Sequence, residues 1–200
     1  MWDERYNTKT YVYGTEPNEF LRKSMLDSKQ GEVLSLAEGE GRNAVFLAQL
    51  GHKVTAVDAS KVGLKKAEQL AATRGVDIKT VVQNLDSFIF EPEKWDYIIS
   101  IFCHLSPDLR KKVYHGAVKS LKPGGLLIIE AYSKKQLQYG TGGPKDIDLL
   151  IDKNELEDEL KGLNFLRSTE RMREVNEGIF HNGAASVVQL VGQKPGRENM

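Results

Sequence analysis

The stretch that most constrains this chain runs from Glu32 to Asn43, Glu-Val-Leu-Ser-Leu-Ala-Glu-Gly-Glu-Gly-Arg-Asn. Val33 to Ala37 is a short apolar run bounded by turn residues, which reads as a buried parallel strand. Gly39 and Gly41 follow, and Arg42 to Leu50 has helical spacing, with Ala44, Val45, Leu47, Ala48 and Leu50 apolar. Strand, glycine turn and helix make the first half of a nucleotide-binding unit. The glycines let the backbone bend tightly and a ligand approach it, while the new helix aims its free N–H groups at that ligand. Gly51 closes the helix, and His52 to Val57 reads as a second strand ending in Asp58. That acidic residue is close to the spacing at which a carboxylate accepts hydrogen bonds from ribose hydroxyls.

Gly39-Glu40-Gly41-Arg42-Asn43-Ala44 also fits the G-x-G-x-x-G/A pattern of nicotinamide enzymes. Charge separates the two readings. Glu38 and Glu40 lie in or beside the turn, where a dinucleotide would place its pyrophosphate, and carboxylates there would repel it strongly in a partly desolvated site. S-adenosylmethionine carries no phosphate and brings a sulfonium and an ammonium, which an acidic turn favours.

With 200 residues the chain is expected to form one domain: an arm and cap over 1–28, a donor-binding half over 30–132, and a closing segment over 133–200. Its 28 basic and 28 acidic residues balance, which supplies none of the basic field a nucleic-acid binder needs. The lone Cys103 excludes an internal disulfide. No long apolar run or signal peptide is present, so a soluble cytoplasmic protein without a membrane partner is expected.

Residues 1 to 15 hold Trp2, Tyr6, Tyr11 and Tyr13 with Arg5, and match neither strand nor long helix. They read as an aromatic arm packed on the domain and touching the pocket, with a lid over a sulfonium ligand as the functional version. Pro17 to Leu26 reads as a helix, and Ser60 caps another running to about Thr73. Ile78 to Gln83 is the third strand, ending at Asn84-Leu85-Asp86. Trp95 to Phe102 is the fourth, running into Cys103-His104-Leu105. A helix from Pro107 to Leu121 follows, and the turn Lys122-Pro123-Gly124-Gly125 delivers a fifth strand, Leu126 to Glu130. Such alternation implies an α/β, doubly wound, mostly parallel sheet. Tyr132 to Asp148 reads as a long mobile loop, and Asn154 to Lys161 as a short charged helix. Phe165 to Val175 and Ile179 to Val191 read as a hairpin that completes seven strands.

These features resemble the class I S-adenosylmethionine-dependent methyltransferases, a Rossmann-like fold. The resemblance rests on the Val33 to Asn43 loop, Asp58, Asn84-Leu85, Lys122-Pro123-Gly124-Gly125 and the antiparallel closing hairpin. Within the class, Gly41-Arg42-Asn43, the small size and Cys103-His104-Leu105 are most similar to the small-molecule enzymes grouped with tellurite-resistance methyltransferases. The resemblance implies that main chain around Ala37, Glu38, Gly39 and Gly41 cradles the methionine part of the donor and that Asp58 holds the ribose hydroxyls. It places Ala59 against the adenine, Asn84 on its amino group, the Leu85 N–H on a ring nitrogen, and backbone near Phe102 on the ammonium. Ser35 stands where the family often has an acidic residue and Ala37 where it often has its first glycine, with Glu38 as the substitute source of charge.

Methyl transfer from a sulfonium is an in-line displacement on an electrophile that arrives activated, so the protein must chiefly align the acceptor and exclude water. A base is needed only where the acceptor loses a proton. His104, after the fourth strand, is the candidate base, and Tyr132 a candidate for orienting the acceptor. Cys103 reads as buried filler. His52, His115 and His181 are assigned no chemistry, and no histidine–carboxylate spacing suggests a metal. The expected partner is a small-molecule acceptor, with thiol, amine, hydroxyl and metalloid oxyanion all open. An NAD(P)-binding oxidoreductase and a non-catalytic S-adenosylmethionine-binding sensor are the alternatives.

Overall fold

A computed structural model describes residues 2–178 and 182–197. The chain forms a seven-stranded sheet in the order β3-β2-β1-β4-β5-β7-β6. Its strands are β1 (Glu32–Leu36), β2 (Lys53–Asp58), β3 (Lys79–Val82), β4 (Trp95–Ile101), β5 (Leu121–Tyr132), β6 (Asn164–Asn176) and β7 (Asn182–Gln193). The first five run parallel, and β7 is antiparallel to both β5 and β6. The helices are α1 (Trp2–Tyr6), α2 (Glu19–Met25), α3 (Arg42–Gln49), α4 (Lys61–Thr73), α5 (Pro107–Ser120) and α6 (Lys153–Glu159). Among the described residues no helix is long and apolar enough to cross a membrane.

The apolar runs of β1, β4 and β5 are buried on both faces, as parallel strands between two helical layers must be. Leu34, Ile98 and Leu127 pack with Val113 and Ala117 of α5 on one face. Val33, Ile99 and Ile128 pack with Leu21 of α2 and Leu47 of α3 on the other. The order of connections reverses between β1 and β4, and in open α/β sheets a ligand crevice forms at that point, beyond the carboxyl ends of the strands.

Several boundaries differ from the sequence reading for local reasons. The arm contains the five-residue helix α1. The second helix begins at Glu19, because the side chain of Asn18 accepts from the Leu21 N–H and caps it. The Lys122–Gly125 turn lies inside β5, where the pairing with β4 slips between Trp95 and Tyr97. The stretch from Tyr132 to Asp148 is more anchored than a mobile loop. It holds two 3₁₀ turns, Lys134–Gln138 and Ile147–Leu149, and the Gln136 side chain accepts from the Ser186 N–H while donating to Thr141 Oγ1 and the Gly142 carbonyl. The hairpin forms, although the start of its second strand at Ile179, and His181, lie outside the described residues.

Gly41 has a φ of +94° at the head of α3, and a Cβ there would lie 2.6 Å from the Cα of Ala67 in α4. Gly75, at the end of α4, has a φ of +71° with nothing within 4 Å of a Cβ. Gly41→Ala is therefore expected to destabilise by about 2–4 kcal/mol, adding a backbone clash to left-handed strain. Gly75→Ala should cost only about 1 kcal/mol. Urea denaturation of the two variants measures the difference, and equal losses would refute the close approach of α3 to α4.

Candidate active site

The carboxyl ends of β1 to β4 open on a cavity of about 360 Å³. Ala37 and Glu38 line it after β1, Asp58 and Ala59 after β2, Asn84 and Leu85 after β3, and Phe102, Cys103 and His104 after β4. Trp2, Tyr6 and Tyr13 of the N-terminal arm complete the wall. Ala37 and Phe102 hold φ values of +49° and +50° at the ends of adjacent central strands. Non-glycine residues pay a conformational cost in that region, and such strain concentrates where backbone must face a ligand. The Glu38 N–H to Val57 carbonyl bond (3.1 Å) and the Phe102 N–H to Glu130 carbonyl bond (2.7 Å) fix these two positions from the neighbouring strands.

Three carboxylates shape the glycine turn. Glu38 accepts from the N–H groups of Asn43 (3.1 Å) and Ala44 (3.0 Å) and from the Ser35 hydroxyl, so it caps α3 and ties it to β1. Burial pushes its carboxyl above the usual carboxylate range, against those hydrogen bonds and the Arg42 charge. Asp58 bridges the turn to α4, with Oδ2 accepting from Gly39 N–H at 2.8 Å and Oδ1 from Ser60 N–H at 2.7 Å. Burial raises its carboxyl too. Glu40 turns the other way. It accepts from the N–H groups of Val12 (2.7 Å) and Tyr13 (3.3 Å) and pairs with the buried ammonium of Lys66. The charge argument against a pyrophosphate thus rests on Glu38 and Asp58, because Lys66 offsets Glu40.

The arm is fastened at both ends. Asp3 accepts from the Ser60 hydroxyl (2.5 Å) and the Val62 N–H (3.2 Å) at the head of α4, and Lys66 Nζ donates to the Tyr6 and Thr10 carbonyls at 3.3 and 2.7 Å. Tyr6 lies so close to the turn that a Cβ on Gly39 would sit 2.7 Å from its hydroxyl oxygen. The aromatic arm therefore covers the glycine turn.

On the opposite wall His104 stacks on Tyr132, with ring centroids 5.9 Å apart and planes 8° from parallel. Burial holds its imidazolium form down to about pKa 4, despite a backbone hydrogen bond at Leu149 that favours the charged form. His104 is thus a neutral base at physiological pH. The Cys103 thiol, pushed up to about 12 by burial, stays protonated.

The structure brings Ala37, Glu38, Asp58, Ala59, Asn84, Leu85, Phe102 and His104 to one cavity. Gly39 and Gly41 shape the turn instead of lining the wall: Gly39 donates to Asp58, and Gly41 packs on α4. Tyr132 is fully buried behind Phe102 and His104 and does not line the cavity, so direct contact with an acceptor is not what its position offers. Ser35, Arg42 and Asn43 also line the cavity, although the motif reading assigned none of them a contact with the donor. Arg42 and Asn43 sit within the glycine motif, but their side-chain directions depend on Asn18 and Glu177, which are remote in sequence.

Residues 33–125 match the family described as "Methyltransferase domain". The match takes in β1 to β4 and the strand ends that line the cavity, so this part of the chain is similar to methyltransferase domains. Among the proteins this chain is similar to is TehB of Haemophilus influenzae, a probable S-adenosyl-L-methionine-dependent methyltransferase, 25% identical over 73% of this chain and 50% of its own length. The solved TehB structure superposes with a TM-score of 0.74 at 20% identity, covering 96% of this chain and 65% of that one. The 2-heptyl-1-hydroxyquinolin-4(1H)-one methyltransferase of Mycobacteroides abscessus is 26% identical over 67% of this chain and 60% of its own length. The fold also matches N-methyltransferase NodS of Bradyrhizobium japonicum, solved with S-adenosyl-L-homocysteine, with a TM-score of 0.73 at 14% identity over 97% of this chain and 96% of that one. The chain spans between 50% and 60% of the length of the first two curated relatives.

The Lys66–Glu40 pair holds the arm, so Lys66→Met is expected to lower stability by about 3 kcal/mol, the order of cost for breaking a buried pair on one side. The Val12 and Tyr13 amides should lose hydrogen-exchange protection ahead of the sheet. Protection at those amides equal to wild type would show that the pair does not hold the arm.

Proposed function

We propose that this chain transfers a methyl group from S-adenosylmethionine to a small-molecule acceptor, with the arm, the donor-binding half and the closing hairpin acting as one unit. The observation that carries this reading is the coincidence of four strand ends on one cavity roofed by aromatic side chains. A cavity of about 360 Å³ under such a roof suits a compact acceptor better than a polymer. The activities for which the relatives are named, a quinolone methyltransferase among them, support a small acceptor.

When bound, the donor supplies an electrophilic methyl on a positively charged sulfur. Asp58 and Asn84 would hold its nucleoside end over β2 and β3, with Ala59 and Leu85 against the base. Glu38 and the strained carbonyl region at Phe102 would face its cationic groups. Trp2, Tyr6 and Tyr13 exclude water and present ring faces that favour a cation. His104, neutral at working pH, would accept a proton or hydrogen bond from an acceptor hydroxyl, thiol or amine, which aligns the nucleophile's lone pair. Tyr132 acts behind it, setting the imidazole plane by stacking. A thiol or metalloid oxyanion remains within this reading, the latter needing no base.

Asp58→Ala is expected to weaken S-adenosylhomocysteine binding by about 1–3 kcal/mol, as for hydrogen bonds to a charged group. Calorimetry measures it, and unchanged affinity would remove Asp58 from the donor site. His104 should protonate near pH 4, so the acid limb of turnover should fall near there and not near 6.5. The same depressed value means stability falls as pH drops from 6.5 towards 4, because the unfolded chain takes up that proton first. A turnover limb centred near 6.5, or turnover in His104→Ala equal to wild type, would exclude His104 as the base. A donor that binds without turnover against a broad acceptor panel would favour the sensor reading.

A further inference from the structure

We propose that Arg42 receives the carboxylate of the donor's methionine part, and that Glu177 is its positioning residue. The inference rests on the methyl-donor reading and asks which group in this chain meets the donor's one anion. Arg42 is only 7% exposed and lines the cavity. Its Nη2 donates to Glu177 Oε2 at 2.6 Å, while among the described residues no acceptor lies within hydrogen-bonding distance of its buried Nη1. A buried guanidinium N–H left without an acceptor is unfavourable, and the bound state is where an acceptor can be supplied.

Three further observations select a carboxylate. Arg42 is the sole lysine or arginine among the described cavity-lining residues, and the acids there whose charge no lysine offsets are Glu38 and Asp58. An anion entering this cavity is therefore repelled over most of the wall and attracted at Arg42. The usual anion receptor, the free N–H groups at the head of a helix, is already taken, since Glu38 accepts from Asn43 and Ala44 at the start of α3. Arg42 is also on the correct side. It is tied to Glu177 beside the β6–β7 hairpin, whereas Asp58 and Asn84 mark the nucleoside end over β2 and β3.

Glu177 is itself held, with Oε1 accepting from Asn18 Nδ2 at 2.9 Å and Arg173 Nη2 at 2.7 Å. The favourable charge of Arg42 and Arg173 keeps its carboxyl below the usual range against the effect of burial. One guanidinium nitrogen is thereby clamped, and the other is left unpartnered beneath the cavity wall.

The test compares S-adenosylhomocysteine with its decarboxylated analogue, S-adenosyl-3-thiopropylamine, by calorimetry on the full chain. Wild type should prefer the carboxylate-bearing ligand by about 10–100-fold, as expected for charge-assisted hydrogen bonds. Arg42→Met should erase that preference while binding the decarboxylated analogue within about 3-fold of wild type, and Arg42→Lys should restore part of it. Glu177→Gln should shrink the preference without abolishing binding of the analogue. Equal wild-type affinity for the two ligands overturns the proposal without any variant, as does an Arg42→Met protein that keeps the preference. Failure of wild type to bind S-adenosylhomocysteine at all would instead overturn the methyl-donor reading beneath it.

Discussion

The turn between β1 and α3 is held open by carboxylates working as hydrogen-bond acceptors. Glu38 gathers the Ser35 hydroxyl and two amides of α3, and Asp58 gathers amides of Gly39 and Ser60. Each joins a strand end to the head of a helix, so the relative placement of β1, β2, α3 and α4 follows from two side chains. Both are desolvated, and a buried acceptor is stable only when its donors are in place. The left-handed backbone at Ala37 persists because these contacts determine the chain on either side of it.

A division of labour among charged groups follows. Glu38 and Asp58 face the cavity, and Glu40 faces the arm, where Lys66 balances it. Arg42 is shared between the cavity and the Glu177–Arg173–Glu130 network beneath the hairpin. Acidic residues two apart in sequence thus serve unrelated tasks, one in the ligand site and one in holding the roof.

Much of this was legible in the chain. Apolar runs ending in Gly39, Asp58, Asn84 and His104 announced parallel strands with a shared rim, because burial on both faces demands such runs and the rim does not. The fold, the reversed hairpin and the cavity wall followed from that pattern. What did not follow were directions set by remote partners. Whether Glu40 points into the cavity depends on Lys66 and on the backbone at Val12, and nothing in a glycine motif encodes that. Tyr132 ends its strand as the other rim residues do, yet Phe102 and His104 pack against its ring and stand between it and the cavity. β5 starts before its proline–glycine turn, because a turn of that kind, which normally ends a strand, here forms a slip within one.

Gly178, just past β6, lies so near Val12 and Tyr13 that a Cβ on it would come within 2.6 Å of their backbone, and Asn18 bonds both Glu130 and Glu177. The arm before α2 and the β6–β7 hairpin, distant along the chain, are therefore interlocked. The arm is made well before the segment it docks against, so it cannot settle over the cavity until that hairpin exists. Competence to capture a ligand then waits on the meeting of two segments that are made far apart in time.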